Sequence, residues 1–325
     1  MDKFTCLNRF SYIGVRFLAR RQDKHQSRKK KKWIWITAIA VLLVVGGAYA
    51  YSIFHNAQKT VDTQLHKPIE GIDVENTKEK VKKKEPINIL LLGVDERAYD
   101  KGRSDTMVVM TLDPNNDQMQ LVSIPRDTRT KIVGRGTVDK INHSYAFGGS
   151  EMSVATVENF LDIDLDYYVR IDMEGLHQLV DAVGGITVTN DRQFSQGGHT
   201  FKTGELDLNG DEALAYVRMR KGDPRGDLGR NERQRQVIEG IIREGANLNV
   251  VDELGSIMDV LGNNMVTNMK FADMRNLASN YRSARKNIST YQMAGQGTRI
   301  DGLYYQLMSG EEVAKVHEMI TEFGA

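Results

Sequence analysis

The apolar residues of this chain fall into short runs separated by turn-forming residues. Ile87–Val94 (INILLLGV) is almost continuously apolar, which predicts a strand buried on both faces. Thr106–Leu112 and Met119–Ile124 are the next two predicted strands, and the sequence Asp-Pro-Asn-Asn-Asp between them favours a turn. We therefore predict that these two strands form an antiparallel hairpin.

Later segments alternate between strand and helix patterns. Short apolar runs predict strands at Tyr167–Ile171 and Ile186–Thr189. Helical spacing predicts helices over 150–162, 174–183, 209–217, 230–244 and 311–323, with loops over 191–208 and 222–229. Asn209 is a good N-cap, with Glu212 as its capping-box partner. The mixture predicts an α/β (α+β) fold, a three-layer α-β-α domain with a central mixed sheet.

An uncharged run, 33–54, precedes the predicted domain. At ~1.5 Å per residue it spans roughly the ~30 Å hydrocarbon core of a bilayer, with aromatic residues at both ends. Lys29–Lys32 come directly before it, so the positive-inside rule predicts a cytoplasmic tail over 1–32 and a single-pass type II protein in the cell membrane, with everything after residue 54 extracellular. A cleaved signal peptide is the alternative, which the long basic segment disfavours.

Charge is divided by position along the chain. The net charge is +1, but residues 1–32 hold 11 basic and 2 acidic residues, while the remainder holds 33 basic and 41 acidic. A basic run beside a predicted membrane helix indicates contact with anionic membrane lipid, and we expect no nucleic-acid partner. The one cysteine, Cys6, lies in the predicted tail, which excludes disulfides and thiol catalysis in the exported part.

Domain boundaries follow from composition. Residues 55–85 are polar and rich in lysine and glutamate, which predicts an extracellular stalk that is helical in part or disordered. Pro86 marks the predicted start of the catalytic domain, 86–245. Residues 246–325 are predicted to be a C-terminal α/β extension packed on that domain.

Arginine and aspartate recur at the ends of the predicted strands and helices. Asp95 follows the first strand and Asp105 precedes the second, so both could contribute to a site for Mg²⁺ (or Mn²⁺) that is completed by substrate phosphates. Taken alone, each acid is better interpreted as a solvated loop residue or a helix cap. Arginine binds phosphate oxygens two at a time, and the candidates are Arg103, Arg126, Arg218, Arg220, Arg230 and Arg233, with Gln234 beside the last.

Alternative interpretations remain for these basic residues and for His143. The arginines could form surface salt bridges, although six of them concentrate near element ends in a part of the chain that is net acidic. We expect the helix before Arg218 to unwind by Val217, so that Arg218 and Arg220 share one side of an extended segment. His143 could be a general base, but ordering a loop is the preferred interpretation. No GxSxG, HExxH, P-loop or GxGxxG pattern is present, which argues against lipase, zinc protease, nucleotide hydrolase and Rossmann functions.

A series of motifs resembles the LytR-CpsA-Psr family of Gram-positive bacteria. The motifs are NILLLGVD, RSDTMVV, VSIPRDT, KINHSYAFGG, LVDAVGGI, ALAYVRMR and GDLGRNERQ, spread over 87–244. Within that family the chain most resembles the teichoic acid transferases of the TagTUV group. The resemblance implies a phosphotransferase that moves an anionic glycopolymer, wall teichoic acid, from an undecaprenyl-diphosphate carrier to peptidoglycan as a phosphodiester. Two other functions stay open: a regulator that binds polyprenyl phosphates, and a hydrolase of lipid diphosphates.

The resemblance also implies roles for the candidate residues. Asp95 and Asp105 would handle the magnesium ion or the acceptor hydroxyl. The implied diphosphate-binding residues are Arg103, Arg126, Arg218, Arg220 and Arg230, with Arg233 and Gln234 in support. Asp95, Arg126, Arg218 and Arg220 would be catalytic. A hydrophobic tunnel between sheet and helices would hold the polyprenyl tail.

Overall fold

The computed structural model describes residues 48, 51–95, 102–220, 222–245, 257–258 and 260–324. The predicted tail, 1–32, and nearly all of the predicted membrane helix, 33–54, lie outside these residues. Within the described ranges, no helix combines the length and apolar character needed to cross a membrane. The chain divides into two compact units, Met1–Ile53 and Phe54–Ala325, and the elements below belong to the second.

Strands and helices alternate along the second unit, as the sequence predicts. Among the described residues the strands are β1 (Ile87–Val94), β2 (Ser104–Asp113), β3 (Gln118–Ser123), β4 (Arg129–Lys131), β5 (Val138–Lys140), β6 (Tyr167–Asp172), β7 (Ile186–Asn190), β8 (Phe194–Gln196), β9 (His199–Phe201), β10 (Gly204–Leu208), β11 (Met265–Thr267), β12 (Asn287–Gln292), β13 (Gln296–Ile300) and β14 (Leu303–Leu307). Residues 51–60 are helical and continue into a π-helical turn, Val61–Leu65. The α-helices named below are α1 (Val74–Lys83), α2 (His143–Leu161), α3 (Met173–Ala182), α4 (Gly210–Arg218), α5 (Asp227–Gly245), α6 (Phe271–Asn280) and α7 (Gly310–Thr321).

A six-stranded mixed sheet forms the centre of the domain, in the order β11-β6-β1-β2-β3-β12. β1 pairs antiparallel with β2 and parallel with β6, and β2 and β3 form the predicted antiparallel hairpin. The last eighty residues supply both edge strands, since β11 pairs with β6 and β12 with β3. They are therefore part of the same domain.

Both faces of the sheet are covered. Leu90 and Leu92 of β1 face one core, which contains residues of α2 and α7. Ile87 and Ile89 face the other, together with Phe271 of α6 and partly buried residues of α3 and α5. Each fully buried side chain of this size contributes roughly 1.5–3 kcal/mol. The three-layer arrangement around a central mixed sheet agrees with the prediction.

Helix α2 begins at His143, seven residues before the predicted start at Ser150. Two helical segments meet at a kink, where Gly149 has φ +65° and ψ −152°, a conformation that essentially only glycine adopts. The Gly148-Gly149 pair looks like a helix boundary in the sequence. In the structure it is a break inside a longer element, and its first segment carries His143 to the candidate site.

The predicted loop over 191–208 contains three short strands instead. β8 and β9 form a hairpin, and β10 pairs antiparallel with β7. Phe201 is 2% exposed and packs edge-on against Tyr216 with ring centroids 5.4 Å apart. Isolated aromatic residues in a polar, glycine-rich segment gave no periodic pattern, which is why the sequence did not predict these strands.

Residues 55–85 are helical in part, as the predicted stalk allowed, but part of this segment packs on the domain. Ala57, Val61 and Leu65 are at most 1% exposed and belong to one of the two cores against the sheet. Lys80 of α1 forms a salt bridge with Asp166 at 3.0 Å. The three apolar residues are four apart, so they form one face of a helix, and the surrounding lysines and glutamates concealed this pattern. The folded unit therefore starts well before Pro86.

Candidate active site

A polar cavity of about 310 Å³ brings together four of the predicted site residues. It is lined by Asp95, Arg103, Asp105, Arg126, Asp127, Lys140, Asn142 and His143. Because β1 and β2 are antiparallel, with Val94 opposite Ser104, the end of β1 and the start of β2 meet at one edge of the sheet. The chain after β3 and the start of α2 complete the cavity.

Arg126 lies at the centre of the charged groups. Its Nη1 donates to Asp105 Oδ1 at 2.8 Å, and its Nε is 3.6 Å from Asp127 Oδ2 and 3.5 Å from Asp227 Oδ2. Burial alone would lower the pKa of Arg126, but the nearby carboxylates of Asp105, Asp227 and Asp127 outweigh it and raise that pKa. The guanidinium therefore keeps its charge although its side chain is only 15% exposed.

Asp227, in the first turn of α5, connects three of the predicted arginines. Its carboxylate lies 3.5 Å from Arg126 Nε, 3.4 Å from Arg220 Nε and 3.0 Å from Arg230 Nη2. Burial lowers the pKa of Arg230, and Arg126 adds to that effect while Asp227 opposes it. The Asp227 carboxylate thus lies close to three guanidinium groups that come from three separate segments of the chain.

Arg218 and Arg220 lie where helix α4 ends. The helix continues to Arg218, one residue beyond the predicted end, and Met219 is extended (φ −62°, ψ 124°) and buried. Arg218 and Arg220 are both exposed on either side of it, as expected for residues two apart in an extended segment. Arg220 reaches Asp227, whereas Arg218 forms no ion pair with any residue in the described part of the chain.

Arg233 does not line the polar cavity. Its Nη1 donates to Asp223 Oδ2 at 2.7 Å, its Nη2 donates to the Met219 carbonyl at 2.7 Å, and its guanidinium lies 5.4 Å from the Phe194 ring centroid. A Cβ at Gly229 would overlap the Asp223 carboxylate, so glycine is required for this close approach. Arg233 therefore anchors to α5 the segment that carries Arg218 and Arg220.

This buried ion pair makes stability depend on pH. Burial alone would raise the pKa of Asp223, but hydrogen bonds from Arg233 and Arg225 outweigh it and lower the pKa to about 2, against 3.8 ordinarily. A carboxylate whose pKa is lowered by folding stabilises the folded state at pH values above its pKa in the unfolded chain. For Asp223 this contribution is about 2 kcal/mol, and it is lost as the pH falls from about 4 to 2. We expect Asp223→Asn to lower the free energy of unfolding by about 2–4 kcal/mol at pH 7.

Urea denaturation of both proteins between pH 7 and pH 2.5 tests that expectation. The difference in unfolding free energy should narrow below pH 4, because the wild-type protein then loses the contribution that the variant already lacks. Asp164→Asn, at an exposed loop residue, is the matched control and should change stability little. If the difference in unfolding free energy between Asp223→Asn and the wild type did not change with pH, the lowered pKa of Asp223 would be contradicted.

An apolar cavity of about 280 Å³ lies between the sheet and helices α3 and α5. Its lining is mostly aliphatic and includes Leu91, Met110, Leu176, Ile238 and Ile241. Gly93, Thr106 and Gln234 also line it. Thr106 directly follows Asp105, and Gln234 is one helical turn from Arg230, so the apolar cavity adjoins the arginine-rich site.

The two acidic residues that the sequence singles out could contribute to a site for a divalent cation. Asp95 and Asp105 line the same cavity, whereas the described residues contain no group of three or more His, Cys, Asp or Glu side chains that could hold a metal. Magnesium is commonly held by one or two carboxylates, with water and substrate phosphate oxygens as the other ligands. Two carboxylates in one cavity are compatible with that mode of binding.

Sequence reasoning gave no role to several residues of the site. Lys140 Nζ donates to Asp127 Oδ1 at 2.7 Å, and Asp227 connects the arginines as described above. Both aspartates stand in the motifs quoted above, each next to or near a predicted arginine. Attention to opposite charges within a motif could have found Asp127, but the contact of Asp227 with Arg126 joins residues a hundred positions apart.

Comparison with known proteins gives consistent results. Residues 49–322 match the model of the LytR_cpsA_psr family. A Bacillus subtilis (strain 168) protein described as polyisoprenyl-teichoic acid–peptidoglycan teichoic acid transferase TagU is 50% identical over 87% of this chain and 93% of its own length. The crystal structure of B. subtilis TagU superimposes with a TM-score of 0.60 at 46% identity, covering 73% of this chain and 96% of that one.

A further solved structure carries a ligand. It is described as TagT bound to LI-WTA and superimposes with a TM-score of 0.63 at 29% identity, covering 80% of this chain and 95% of that one. The family match extends over most of the chain and includes the polar and apolar cavities. The protein therefore belongs to the LytR_cpsA_psr family.

Proposed function

We propose that this protein is a phosphotransferase that moves wall teichoic acid from an undecaprenyl-diphosphate carrier to a hydroxyl of peptidoglycan, as a phosphodiester. Relatives about 50% identical over most of the chain are named as teichoic acid transferases that use a polyisoprenyl-linked substrate and peptidoglycan. The motifs that carry the family resemblance in this chain include residues that line the polar cavity, among them Asp95, Arg103, Asp105 and Arg126.

One arrangement carries the proposal: Asp105 of the polar cavity and Arg230 beside it are each next to, or one helical turn from, a residue that lines an apolar cavity. A lipid diphosphate has these two parts, a charged group and a hydrocarbon tail. Here Asp105 and Thr106, which are consecutive, and Arg230 and Gln234, which are one helical turn apart, connect the two cavities. A soluble sugar phosphate would need only the polar cavity, and a neutral lipid would need only the apolar one.

The arginines would bind the diphosphate and stabilise the charge that develops on it. Arg103, Arg126, Arg220 and Arg230 lie in or beside the polar cavity, and Arg218 is exposed next to Arg220. Without substrate, carboxylates neutralise several of them, and phosphate oxygens would take over part of that role. Negative charge grows on the departing lipid phosphate as its P–O bond breaks, and a cluster of fixed guanidinium groups favours that state. Arg233 would act indirectly, by holding the Arg218–Arg220 segment.

A magnesium or manganese ion would be held by Asp95 and Asp105. When bound, it would neutralise charge on the diphosphate oxygens. Gln234 lines the apolar cavity one helical turn from Arg230, so its amide would contact the phosphate nearest to the lipid tail.

The membrane anchor is also part of the proposal. The uncharged run 33–54 and the basic residues before it favour a single-pass type II protein in the cell membrane, with the catalytic unit outside the cell. A lipid-linked substrate and a peptidoglycan acceptor would both be within reach of an enzyme attached in this way.

The test is a transfer assay with the full-length protein in detergent micelles. The protein would be incubated with a lipid-diphosphate-linked polymer precursor, peptidoglycan oligomers and magnesium, and the products followed by mass spectrometry. We expect a phosphodiester-linked conjugate, and we expect Asp95→Asn to lower its rate at least 100-fold, because a carboxylate that holds or balances charge at the diphosphate is lost. Asp164→Asn is the control and should be fully active.

Other outcomes distinguish the alternatives. Sugar phosphate released without conjugate would indicate a lipid-diphosphate hydrolase. Tight lipid binding without any reaction, unchanged in Asp95→Asn, would indicate a binding protein that regulates envelope synthesis. Either result would contradict the proposed transferase.

A further inference from the structure

His143 lies in the polar cavity as part of a chain of three hydrogen-bonded side chains. Its Nδ1 is 2.8 Å from Asp139 Oδ2, and the hydroxyl of Tyr305 donates to the other oxygen of Asp139 at 3.4 Å. Within the described residues, no hydrogen-bond partner contacts His143 Nε2. A carboxylate that accepts from Nδ1–H fixes the imidazole tautomer in which Nε2 is unprotonated and can accept a proton.

The Asp139 carboxylate is suited to this role. Burial alone would raise the pKa of Asp139, but the hydrogen bond from His143 and the backbone N–H of Lys140 outweigh it and lower that pKa. Asp139 therefore stays ionised near neutral pH and can accept the hydrogen bond from Nδ1–H that orients the His143 ring.

Two other acidic groups of the cavity, Asp105 and Asp127, are less suited to accept a proton. Asp105 is bonded to Arg126 at 2.8 Å, and Asp127 is bonded to Lys140 at 2.7 Å and lies 3.6 Å from Arg126. A carboxylate paired with a cation has reduced basicity, because protonation would cost it that pairing. His143 is the histidine that lines this cavity, and its pair with Asp139 contains no cationic arginine or lysine partner.

Asn142 provides an independent indication that a hydroxyl binds on this side. It is 3% exposed, lines the polar cavity next to His143, and its side-chain oxygen has no hydrogen-bond partner among the described residues. A buried carbonyl oxygen without a donor suits a ligand that brings one. A sugar that presents neighbouring hydroxyls could donate one to Asn142 and the other to His143.

We propose that His143 is the general base that takes the proton from the acceptor hydroxyl, with Asp139 and Tyr305 as positioning residues. The inference rests on the proposed transferase function. The acceptor oxygen forms a bond to the phosphorus that carries the polymer, and its proton passes to His143 Nε2. The bond from that phosphorus to the bridging oxygen breaks, its electron pair leaves with the lipid phosphate, and His143 then releases the proton to solvent or to that phosphate.

The inference gives the C-terminal hairpin a function. Tyr305 lies on β14, and the next residue, Gln306, donates its N–H to the Asp127 carbonyl at 2.9 Å. The Tyr305 ring also lies 5.8 Å from Lys140 Nζ and 5.9 Å from Arg129. Strand β14 thus positions the Tyr305 hydroxyl that hydrogen-bonds to Asp139, although neither β13 nor β14 contains one of the family motifs.

The test compares His143→Gln with His177→Gln in the transfer assay. His177 is a matched control, because its imidazole also lies near carboxylates, with Nε2 3.2 Å from Asp181, but outside the polar cavity. We expect His143→Gln to lower the transfer rate 10²–10⁴-fold, roughly the usual contribution of a general base, with binding of the lipid-linked substrate unchanged. His177→Gln should transfer at the wild-type rate.

Chemical rescue separates a base from a structural residue. Added imidazole should restore part of the rate of His143→Ala, and should not accelerate the wild-type protein. Wild-type transfer rates in His143→Gln, or a loss in His143→Ala that imidazole does not relieve, would overturn the inference while leaving the transferase intact. If the wild-type protein itself transfers nothing, the proposed function fails, and this inference with it.

The positioning residues have their own readout. Asp139→Asn and Tyr305→Phe should lower kcat with the KM for the lipid-linked substrate unchanged, and the loss should be larger for Asp139→Asn. A change confined to KM would mean that these residues shape the binding site and do not orient His143.

Discussion

Replacing Arg126 by alanine is expected to reduce the transfer rate about 10²–10³-fold, with little effect on folding. A fixed, charged hydrogen-bond donor at a site of developing negative charge commonly contributes about 3–4 kcal/mol to the transition state. Arg126 is the guanidinium that three carboxylates hold in place, so its position is better defined than that of the exposed Arg218. The rate of conjugate formation by the purified full-length protein measures the effect.

The fold should survive this change because two of the three carboxylates keep other partners, and the third, Asp105, is partly exposed to water. Asp127 retains Lys140 at 2.7 Å, and Asp227 retains Arg230 at 3.0 Å. Thermal unfolding followed by circular dichroism should therefore show a shift of only a few degrees, on the scale of about 1 kcal/mol.

Two further variants make the result specific. Arg126→Lys keeps the charge but loses the planar fork, and we expect an intermediate rate. Arg243→Ala removes an exposed arginine from the far end of α5 and should leave the rate unchanged. Equal rates for Arg126→Ala and wild type would exclude Arg126 from the diphosphate site.

The parts of the fold that local pattern controls could be predicted from the sequence. β1 is a continuous apolar run because both of its faces are buried, and the β2–β3 hairpin follows from its turn residues. The capping box of Asn209 and Glu212 starts α4 as predicted. The packing of Val61 and Leu65 on the sheet depends on Leu261 and Phe271, two hundred residues away, so no local pattern indicated it.

In the candidate site, too, some features follow from local sequence and others depend on contacts between distant residues. Asp95, Arg103, Asp105 and Arg126 come together because they stand at the ends of adjacent strands, which the sequence indicated. The role of Asp227 required knowledge of where α5 lies relative to β3. The interaction of Asp139 with Tyr305 joins two hairpins that have no common motif, so only the structure could place it.

The second large effect concerns the apolar cavity. Ile238 lines it from α5, one turn beyond Gln234, so a larger side chain there would occupy space that the proposed lipid tail needs. We expect Ile238→Trp to weaken binding of an undecaprenyl-diphosphate-linked substrate at least tenfold. Displacing as few as two CH₂ groups at about 0.8 kcal/mol each is enough for that change.

Substrate length provides the control within one variant. A substrate whose prenyl chain is too short to reach Ile238 should bind Ile238→Trp and wild type equally, because the polar cavity is unaltered. Ile238→Leu nearly conserves volume and should bind both substrates normally. If Ile238→Trp weakened binding of the short and the long substrate to the same extent, the change would lie in the diphosphate site or in the fold. The lipid tail would then have to lie elsewhere, because an obstruction inside its cavity acts only on chains long enough to enter it.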